Sequence, residues 1–533
     1  MRDVSPVEPA GAGLVASSSP LREPSAPAPV PPAPRPPAGE EPTAVELVRR
    51  LCRRLSEDGV AYCHWKSNAA LDRSALAQSD LDLLVDPDHG ERFARIVHDL
   101  GFKRGRPPQA RQRMPGVYHA YGFDEPSGRV VHLHVHHQLV LGDDMTKNYR
   151  LPVERAYLVS AEQGPLFRVP APAFELVVFV LRMVLKHSTP DAMLTGQGSL
   201  SKGEAHELGY LRALATSEEG RGLVREHLPS VGPELWDRCL RCLEPGTSPL
   251  VRARTAARLE RALAPQARRS PALDPFLRVW RRGRRALDRR ILHRRPPRSR
   301  LEGGGALIAI VGGDGAGKTT AVEEVHRWLS RDLDAIAMHL GKPPRSLTSA
   351  LVHAVWRGAG GGPQGTPSPE GRTPVELTDD DPMTTRRLLK LVRKVLTSRD
   401  RYLATVRARR LASQGAIVIC DRFPLAEVTQ MDGPATARLS RSRRRHPLVA
   451  ILARMEERYY RRAGYPDVLI VLRVDPDVAV ARRRGVESEG FVRRRAEEIW
   501  ALDWSRTPAL VIDAGRPRDE VLARIRAAIW GGL

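Results

Sequence analysis

Residues 306–320 read Ala306-Leu-Ile-Ala-Ile-Val311-Gly312-Gly313-Asp314-Gly315-Ala316-Gly317-Lys318-Thr319-Thr320. A short apolar run leads directly into a match to the phosphate-binding pattern G-x-x-x-x-G-K-[ST]. Its glycines let the backbone curl so that N–H groups point inward at phosphate oxygens, and a following helix adds the positive end of its dipole. The stretch therefore predicts a strand, a phosphate loop and a helix, in that order.

The residues of this loop predict a nucleotide site in which ATP and Mg²⁺ bind together. Residues 312–320 are the candidate nucleotide-binding residues. Lys318 would supply positive charge to the β- and γ-phosphates, and the Thr319 hydroxyl would be a ligand of Mg²⁺. The glycine spacing is not G-x-G-x-x-G, so a dinucleotide-binding fingerprint is excluded.

Five apolar runs after residue 303 are each bounded on at least one side by Gly, Asp or Pro, with helical patterns between them. They are Ala306–Val311, Ala335–Leu340, Ala416–Cys420, Val468–Val474 and Ala509–Ile512. Because strands that alternate with helices form parallel sheets, residues 303–533 are predicted to be an α/β domain with a doubly wound parallel sheet.

The third of these runs ends in Asp421-Arg422-Phe423. A carboxylate at the carboxyl end of a buried parallel strand faces the crevice where open α/β sheets bind ligands. Asp421 is therefore a candidate metal ligand and catalytic residue, and Arg422 a candidate for bidentate pairing with a phosphate. The alternative is a surface ion pair just beyond a strand.

These motifs together resemble the thymidylate kinase family of P-loop nucleoside-monophosphate kinases, over most of residues 303–533. The resemblance implies an ATP-dependent kinase in which Asp314 contacts a sugar hydroxyl of the acceptor, Asp421 helps to organise Mg²⁺ and Arg422 grips the acceptor phosphate. It also rests on Val474-Asp475-Pro476-Asp477 followed by Arg482-Arg483-Arg484, which resemble the arginines of a mobile lid, with Arg483 as the catalytic one. A solvated arginine face on a helix is the alternative for these three.

The sequence departs from that family immediately after Phe423. There the family typically continues with Ser and then a Tyr-Gln pair that recognises thymine, whereas this chain continues Pro424-Leu-Ala-Glu-Val-Thr-Gln430. A Gly- and Pro-rich insert at 358–374 also falls on the acceptor side. Phosphorylation by ATP is still expected, but the acceptor is left open as a nucleotide or another small phosphorylated compound.

A second motif lies in the N-terminal half, where Lys66-Ser67 precedes Asp80-Leu81-Asp82. Two acids one residue apart on a strand share a face and can bind Mg²⁺ together. This arrangement resembles the nucleotidyltransferase superfamily over about residues 43–190, in which a [GS]-S turn precedes D-x-D. It implies an α+β nucleotidyltransferase-like domain at 43–245, although Lys-Ser stands here where Gly-Ser is usual.

The third carboxylate of that superfamily is expected on a later strand, but residues 130–137 read Val-Val-His132-Leu-His134-Val-His136-His. Exchanging an anion for imidazole weakens two-metal catalysis, so we expect weak metal or nucleotide binding through Asp80 and Asp82, and slow or absent transfer. Histidines 132, 134 and 136 share one strand face. They could form a transition-metal site, but an edge strand without metal is favoured, because no nearby Cys or acid completes a ligand set.

The remaining segments predict a tail and a connector. Residues 1–42 contain 12 prolines and are predicted to be disordered. Residues 246–302 form an arginine-rich connector in which a narrow apolar stripe, Phe276, Trp280, Leu287 and Ile291, lies at helical spacing. The favoured interpretation packs this stripe between the domains with arginines outward. Contact of 276–295 with an anionic membrane comes second and nucleic-acid binding third.

Composition excludes several classes of protein. The chain has 533 residues, a formal charge of +23 and 41% hydrophobic residues, with 17 arginines but only three acids in residues 251–300. It has five cysteines and no run of 18 apolar residues, so we expect a cytoplasmic protein with neither a disulfide framework nor a membrane span.

A second function is left open beside that of a kinase: the chain could be a nucleotide-binding regulatory or assembly protein with little catalysis. A chain that combines a thymidylate kinase-like domain with a nucleotidyltransferase-like domain resembles proteins encoded among surface-polysaccharide genes. This resemblance implies a link to polysaccharide synthesis.

Overall fold

The computed structural model of the chain describes residues 43–107, 114, 116–292, 298–341, 343–344, 346–358, 384–439 and 444–533. The proline-rich segment 1–42 and nearly all of the insert at 358–374 lie outside these ranges. The expectations for these two segments therefore stay predictions.

The described residues of the N-terminal half and the connector form ten short strands. They are β1 (Tyr62–His64), β2 (Leu81–Val85), β3 (Lys103–Arg106), β4 (Val117–Asp124), β5 (Arg129–His136), β6 (Leu139–Leu141), β7 (Tyr149–Leu151), β8 (Glu162–Gln163), β9 (Arg168–Val169) and β10 (Arg300–Leu301). Six of them form a mixed sheet in the order β1-β2-β5-β4-β3-β10, in which only β2 and β5 run parallel. The other four form two small hairpins.

Among the described residues, eleven α-helices accompany these strands. They are α1 (Glu46–Glu57), α2 (Leu71–Ala75), α3 (Gly90–Asp99), α4 (Glu154–Val159), α5 (Pro172–His187), α6 (Pro190–Leu194), α7 (Lys202–Leu214), α8 (Ser217–His227), α9 (Gly232–Cys242), α10 (Pro249–Ala262) and α11 (Asp274–Arg290). Helix α5 is buried on nearly every side, which explains its long apolar run. None of the described helices is long and apolar enough to cross a membrane.

The described part of the C-terminal half is built on a five-stranded parallel sheet. Its strands are β11 (Leu307–Gly312), β12 (Ala335–His339), β13 (Ile417–Asp421), β14 (Val468–Arg473) and β15 (Ala509–Asp513), in the order β12-β13-β11-β14-β15. Its helices are α12 (Lys318–Leu329), α13 (Leu347–Gly358), α14 (Thr385–Ser413), α15 (Pro447–Ala463), α16 (Pro476–Arg483), α17 (Glu489–Ala501) and α18 (Arg518–Gly531). All five predicted strands are confirmed as parallel neighbours, and β11, which carries the phosphate loop, is central.

The two sheets share apolar packing. Phe123 of β4 lies against Trp328 of α12 and Trp530 of α18, with ring centroids 5.3 and 5.9 Å apart. Strand β10 of the connector adds itself to the edge of the six-stranded sheet by pairing with β3. The described residues accordingly belong to one compact unit.

Helix α11 of the connector is oriented opposite to the favoured interpretation. Arg278 is 3% exposed, whereas Phe276 and Trp280 of the apolar stripe are 67% and 51% exposed. Arginines point inward because acids lie there: Arg278 pairs with Glu260 at 3.0 Å, and Arg282 pairs with Asp191 and Asp143. The prediction that the stripe packs between the domains is therefore wrong, because the buried face of this helix carries ion pairs.

Candidate functional site

The phosphate loop lies between the carboxyl end of β11 and the first turn of α12. Gly315 and Gly317 both have φ of +83°, in the left-handed region that favours glycine. A Cβ at Gly315 would also lie 2.8 Å from the Ala479 carbonyl oxygen on α16. The backbone can therefore follow this path, with N–H groups at a helix N-terminus, only because these positions are glycines.

Lys318 is folded back over this loop. It is 7% exposed, and its Nζ donates to the Gly313 carbonyl oxygen at 2.6 Å and lies 3.8 Å from an Asp314 carboxylate oxygen. Burial lowers the pKa of Lys318 to about 8, although the negative charge of Asp314 opposes the shift. The ammonium thus lies beside the loop and is only partly solvated. Its electrostatic attraction to a bound anion is therefore stronger than it would be in water.

Asp314 is a buried carboxylate surrounded by cations. Arg495 of α17 donates to its Oδ2 at 2.6 Å, and Arg422 lies 3.5 Å from its Oδ1. Burial alone would raise the pKa of Asp314, but the charges of Lys318 and Arg495 outweigh it and lower this pKa below its ordinary value. Asp314 is therefore ionised, and as an acceptor-only group it suits a ligand that brings a hydroxyl donor.

Asp421 and Thr319 face each other across the end of the sheet. The Thr319 hydroxyl donates to Asp421 Oδ2 at 3.4 Å, and His339 Nδ1 lies 3.2 Å from the same oxygen. Asp421 Oδ1 is buried and has no hydrogen-bond partner among the described residues. The Thr319 hydroxyl and the Asp421 carboxylate, whose Oδ1 has no partner among the described residues, are oxygen ligands of the kind that a hard cation such as Mg²⁺ prefers.

Arg422 links the loop to a second buried acid. Its Nη1 lies 3.4 Å from Asp432 Oδ2, and Arg401 of α14 donates to Asp432 Oδ1 at 3.0 Å. Arg401 also donates to the Gly341 carbonyl oxygen at 3.0 Å, which ties α14 to the end of β12. The result is an alternating row of charges beside the phosphate loop, with Arg422 at its centre.

The predicted lid arginines lie at the end of α16. Arg482 donates to the Ala514 carbonyl oxygen at 3.1 Å and reaches the Gly315 carbonyl oxygen at 3.4 Å, so it supports the loop from outside. Arg483, the predicted catalytic residue of the three, is half-buried on the same turn. On the next helix, α17, Arg495 reaches the loop carboxylate Asp314, where Arg422 also lies.

Sequence reasoning missed Arg495, Asp432 and Arg401. Arg495 ends a second arginine run on α17, which could have been weighed as an alternative to residues 482–484. Asp432 follows no strand, and Arg401 is one of many arginines on α14, so neither carried a signal in the sequence.

The N-terminal motif acids lie beside histidines of the neighbouring strand. Asp80 Oδ1 is 2.8 Å from His132 Nδ1, and Asp82 Oδ1 is 2.9 Å from His134 Nδ1. Strand β5 pairs with both β2 and β4, so the favoured interpretation as an edge strand is wrong. The expectation that no acid lies near these histidines is wrong as well, because the parallel pairing places Asp82 opposite His134.

Two further contacts bear on the nucleotidyltransferase resemblance. The Ser67 amide, in a left-handed turn with φ of 63°, donates to Glu207 Oε1 at 2.9 Å. Lys66 Nζ lies 2.8 Å from Asp82 Oδ1, and although burial opposes it, this charge helps to lower the pKa of Asp82 well below its usual range. The turn amide and the second motif acid are thus already paired within the protein.

Comparisons with known proteins bear on part of the chain, and no protein-family model matches it. It is 26% identical over 233 residues to the uncharacterized ATP-binding protein YghR of Escherichia coli strain K12, a match that covers 42% of this chain and 86% of that protein. YghR of E. coli O6:H1 is equally similar.

Two solved structures are also similar in part. They are thymidylate kinase from Candida albicans, with 18% identity, a TM-score of 0.28 and coverage of 42% of this chain and 91% of that one, and deoxyadenosine kinase from M. mycoides with bound dCTP, with 15% identity, a TM-score of 0.24 and coverage of 41% and 96%. Each of these matches leaves more than half of this chain uncovered.

Proposed function

We propose that residues 303–533 are an ATP- and Mg²⁺-dependent phosphotransferase of the nucleoside-monophosphate kinase type. The observation that carries the proposal is the glycine loop at the end of the central strand, with Lys318 folded over it and Asp421 facing Thr319. The relative from E. coli, named as an ATP-binding protein, supports nucleotide binding. Enzymes that transfer phosphoryl groups act mainly by positioning the phosphates and stabilising their charge, and this arrangement of residues supplies groups for both tasks.

The phosphate-donor side of the proposed site uses the loop and two oxygen donors. Backbone N–H groups of the loop and the Lys318 ammonium hold the β- and γ-phosphates of ATP. Thr319 and Asp421 hold Mg²⁺, which when bound neutralises phosphate charge and orients the transferring group. These parts lie on regular elements: the loop joins the central strand β11 to α12, Thr319 lies in the first turn of α12, and Asp421 ends the neighbouring strand β13.

The acceptor side of the proposed site is the charge row around Arg422. An acceptor phosphate would exchange for one of the two carboxylates that Arg422 now contacts, Asp314 or Asp432. Asp314 would then be free to accept a hydrogen bond from an acceptor hydroxyl. We therefore propose a small phosphorylated acceptor with a hydroxyl near its phosphate, such as a nucleotide.

The test is phosphoryl transfer from ATP by the full-length protein, measured with Mg²⁺ against a panel of nucleotides and sugar phosphates. We expect acceptor-stimulated ADP release that falls by at least about 100-fold in Lys318→Ala, since this variant removes charge stabilisation of the transferring group. Lys202→Ala, at an exposed position on α7, is the matched control and should keep wild-type turnover. Unchanged turnover in Lys318→Ala would refute the proposal.

One observation favours a second function, a nucleotide-regulated binding or assembly protein. Arg422 is already paired with two carboxylates, so the acceptor side is neutralised without a ligand. The same panel separates the two functions, because stoichiometric ATP binding without turnover by any acceptor would favour regulation over catalysis.

A further inference from the structure

A cluster outside the phosphate loop combines the ligands of a transition metal. Strands β2 and β5 run parallel with Asp82 opposite His134, and His136 lies two residues further on the same face of β5. One ligand atom from each of these three residues lies within 4.8 Å of the others. Asp82 Oδ1 is 2.9 Å from His134 Nδ1 and 4.0 Å from His136 Nε2. These separations bracket the spacing of about 3.3 Å between ligands of a tetrahedral ion with bonds of about 2.0–2.1 Å.

His136 is the member of this cluster that most needs a partner. It is 4% exposed, and neither ring nitrogen has a hydrogen-bond partner among the described residues. Leaving buried polar atoms unpaired is costly, and native proteins rarely do so without a reason. A bound ion beside Asp82 would satisfy the nitrogen that points toward this carboxylate.

The surroundings hold these side chains in place. The ring of Trp65 meets His136 edge-on with centroids 5.0 Å apart, and the ring of His119 stacks on His134 at 4.6 Å. The alternate residues of β5, Leu133 and Val135, are fully buried in the core on the opposite face. The ligands therefore project from a sheet packed on its far side, the rigid support that metal sites require.

The donor set selects the class of ion. Two imidazoles and one carboxylate suit Zn²⁺ and similar divalent transition metals, whereas Mg²⁺ and Ca²⁺ prefer oxygen ligands alone. Three protein ligands leave a fourth position, and Lys66 Nζ now lies 2.8 Å from the carboxylate oxygen that the ion would use. The Lys66 ammonium thus supplies positive charge beside Asp82, as a bound metal ion would.

We propose that Asp82, His134 and His136 bind one divalent transition-metal ion of the Zn²⁺ class, and that Lys66 releases Asp82 when the ion binds. The fourth position then takes water or an oxygen of a ligand. This site lies in the N-terminal half and does not depend on the function proposed for residues 303–533.

The experiment titrates the full-length, metal-stripped protein with ZnCl₂ and, separately, with MgCl₂, by calorimetry and by thermal unfolding. We expect one equivalent of Zn²⁺ to bind and raise the melting temperature, because a ligand of the folded state stabilises it by mass action. His136→Ala should weaken this binding by more than about 100-fold, since losing even outer partners of metal ligands costs about 10–100-fold. Lys66→Met should tighten it by about tenfold, by removing a charge close to the ion.

The matched control is His132→Ala, which removes a histidine of the same strand face outside the three ligands. It should keep wild-type Zn²⁺ affinity. If His136→Ala fails to fold, the response of Lys66→Met decides, because a cluster that is only an ion-pair network has no reason to gain metal affinity. Absent Zn²⁺ binding, equal binding by His136→Ala, or competition by Mg²⁺ at equal concentration would overturn the proposal.

Discussion

Arg422 has a left-handed backbone, with φ of 68°, at the point where β13 ends. A non-glycine residue there carries strain, which the side-chain contacts with Asp314 and Asp432 offset. The backbone turn aims the guanidinium back toward the phosphate loop. The strained backbone conformation of Arg422 thus positions its guanidinium in the site.

Two substitutions at this position separate strain from function. We expect Arg422→Gly to be more stable than Arg422→Ala by about 1 kcal/mol, because glycine adopts the left-handed region without steric cost. Both should lose acceptor-dependent turnover to a similar degree, since both lack the guanidinium. Urea denaturation and the turnover assay measure the two effects, and equal stability of the two variants would contradict the role assigned to strain.

Lys318 gives the site a pH dependence of defined sign. Burial lowers its pKa from 10.5 to about 8, so the free protein loses this charge as the pH rises through about 8. We expect ATP affinity to be constant below that pH and to fall by up to about tenfold per unit above it. Fluorescence titration with ATP from about pH 6.5 to about pH 9.5 measures the slope on both sides of the shifted pKa of Lys318.

The control for this prediction is Lys318→Arg, whose guanidinium stays charged throughout the range. Its ATP affinity, even if weaker overall, should show no such slope. A slope of the same size in both proteins would assign the titration to another group.

At the scale of elements, α11 shows how ion pairs can override an amphipathic pattern. Its apolar stripe predicts burial, yet the arginine face is buried because Asp191, Glu260 and Asp274 lie beneath it. Contact of the exposed stripe with an anionic membrane stays a prediction.

Stability measurements on α11 can test this orientation. We expect Arg278→Ala to lower the free energy of unfolding by about 3–5 kcal/mol, because it leaves buried carboxylates uncompensated. Trp280→Ser, on the exposed stripe, should change it by less than about 0.5 kcal/mol. Urea denaturation of both variants measures the difference, and the reverse order would show that the stripe is the buried face.

At the scale of the whole molecule, the two sheets are joined through Phe123, Trp328 and Trp530. These residues belong to one apolar cluster that includes the core of the parallel sheet. Contacts of this kind couple the unfolding of the elements that share them.

We expect Trp530→Ala to lower the free energy of unfolding by about 3–5 kcal/mol, the cost of emptying a large buried site. Since the cluster bridges the two halves, hydrogen exchange should rise in β4 as well as in α12. Trp500→Ala, at a position 40% exposed on α17, should cost less than about 1 kcal/mol. Faster exchange confined to the C-terminal half would contradict the coupling.

The sequence by itself determined the features that depend on neighbours along the chain. The five parallel strands, the phosphate loop and the placement of Asp421 and Arg422 at a strand end follow from local periodicity, glycine spacing and the rule that parallel strands end at one edge. Each of these signals lies within a short stretch of neighbouring residues.

Only the tertiary structure decided which distant side chains meet. Arg495 reaches Asp314 across 181 residues, and His134 reaches Asp82 across 52 through the register of two paired strands. The inward turn of the α11 arginines likewise depended on acids supplied by other elements. Such contacts depend on strand order, register and helix orientation, which the whole chain sets by burying its apolar surface and pairing its buried charges, and no local pattern carries that information.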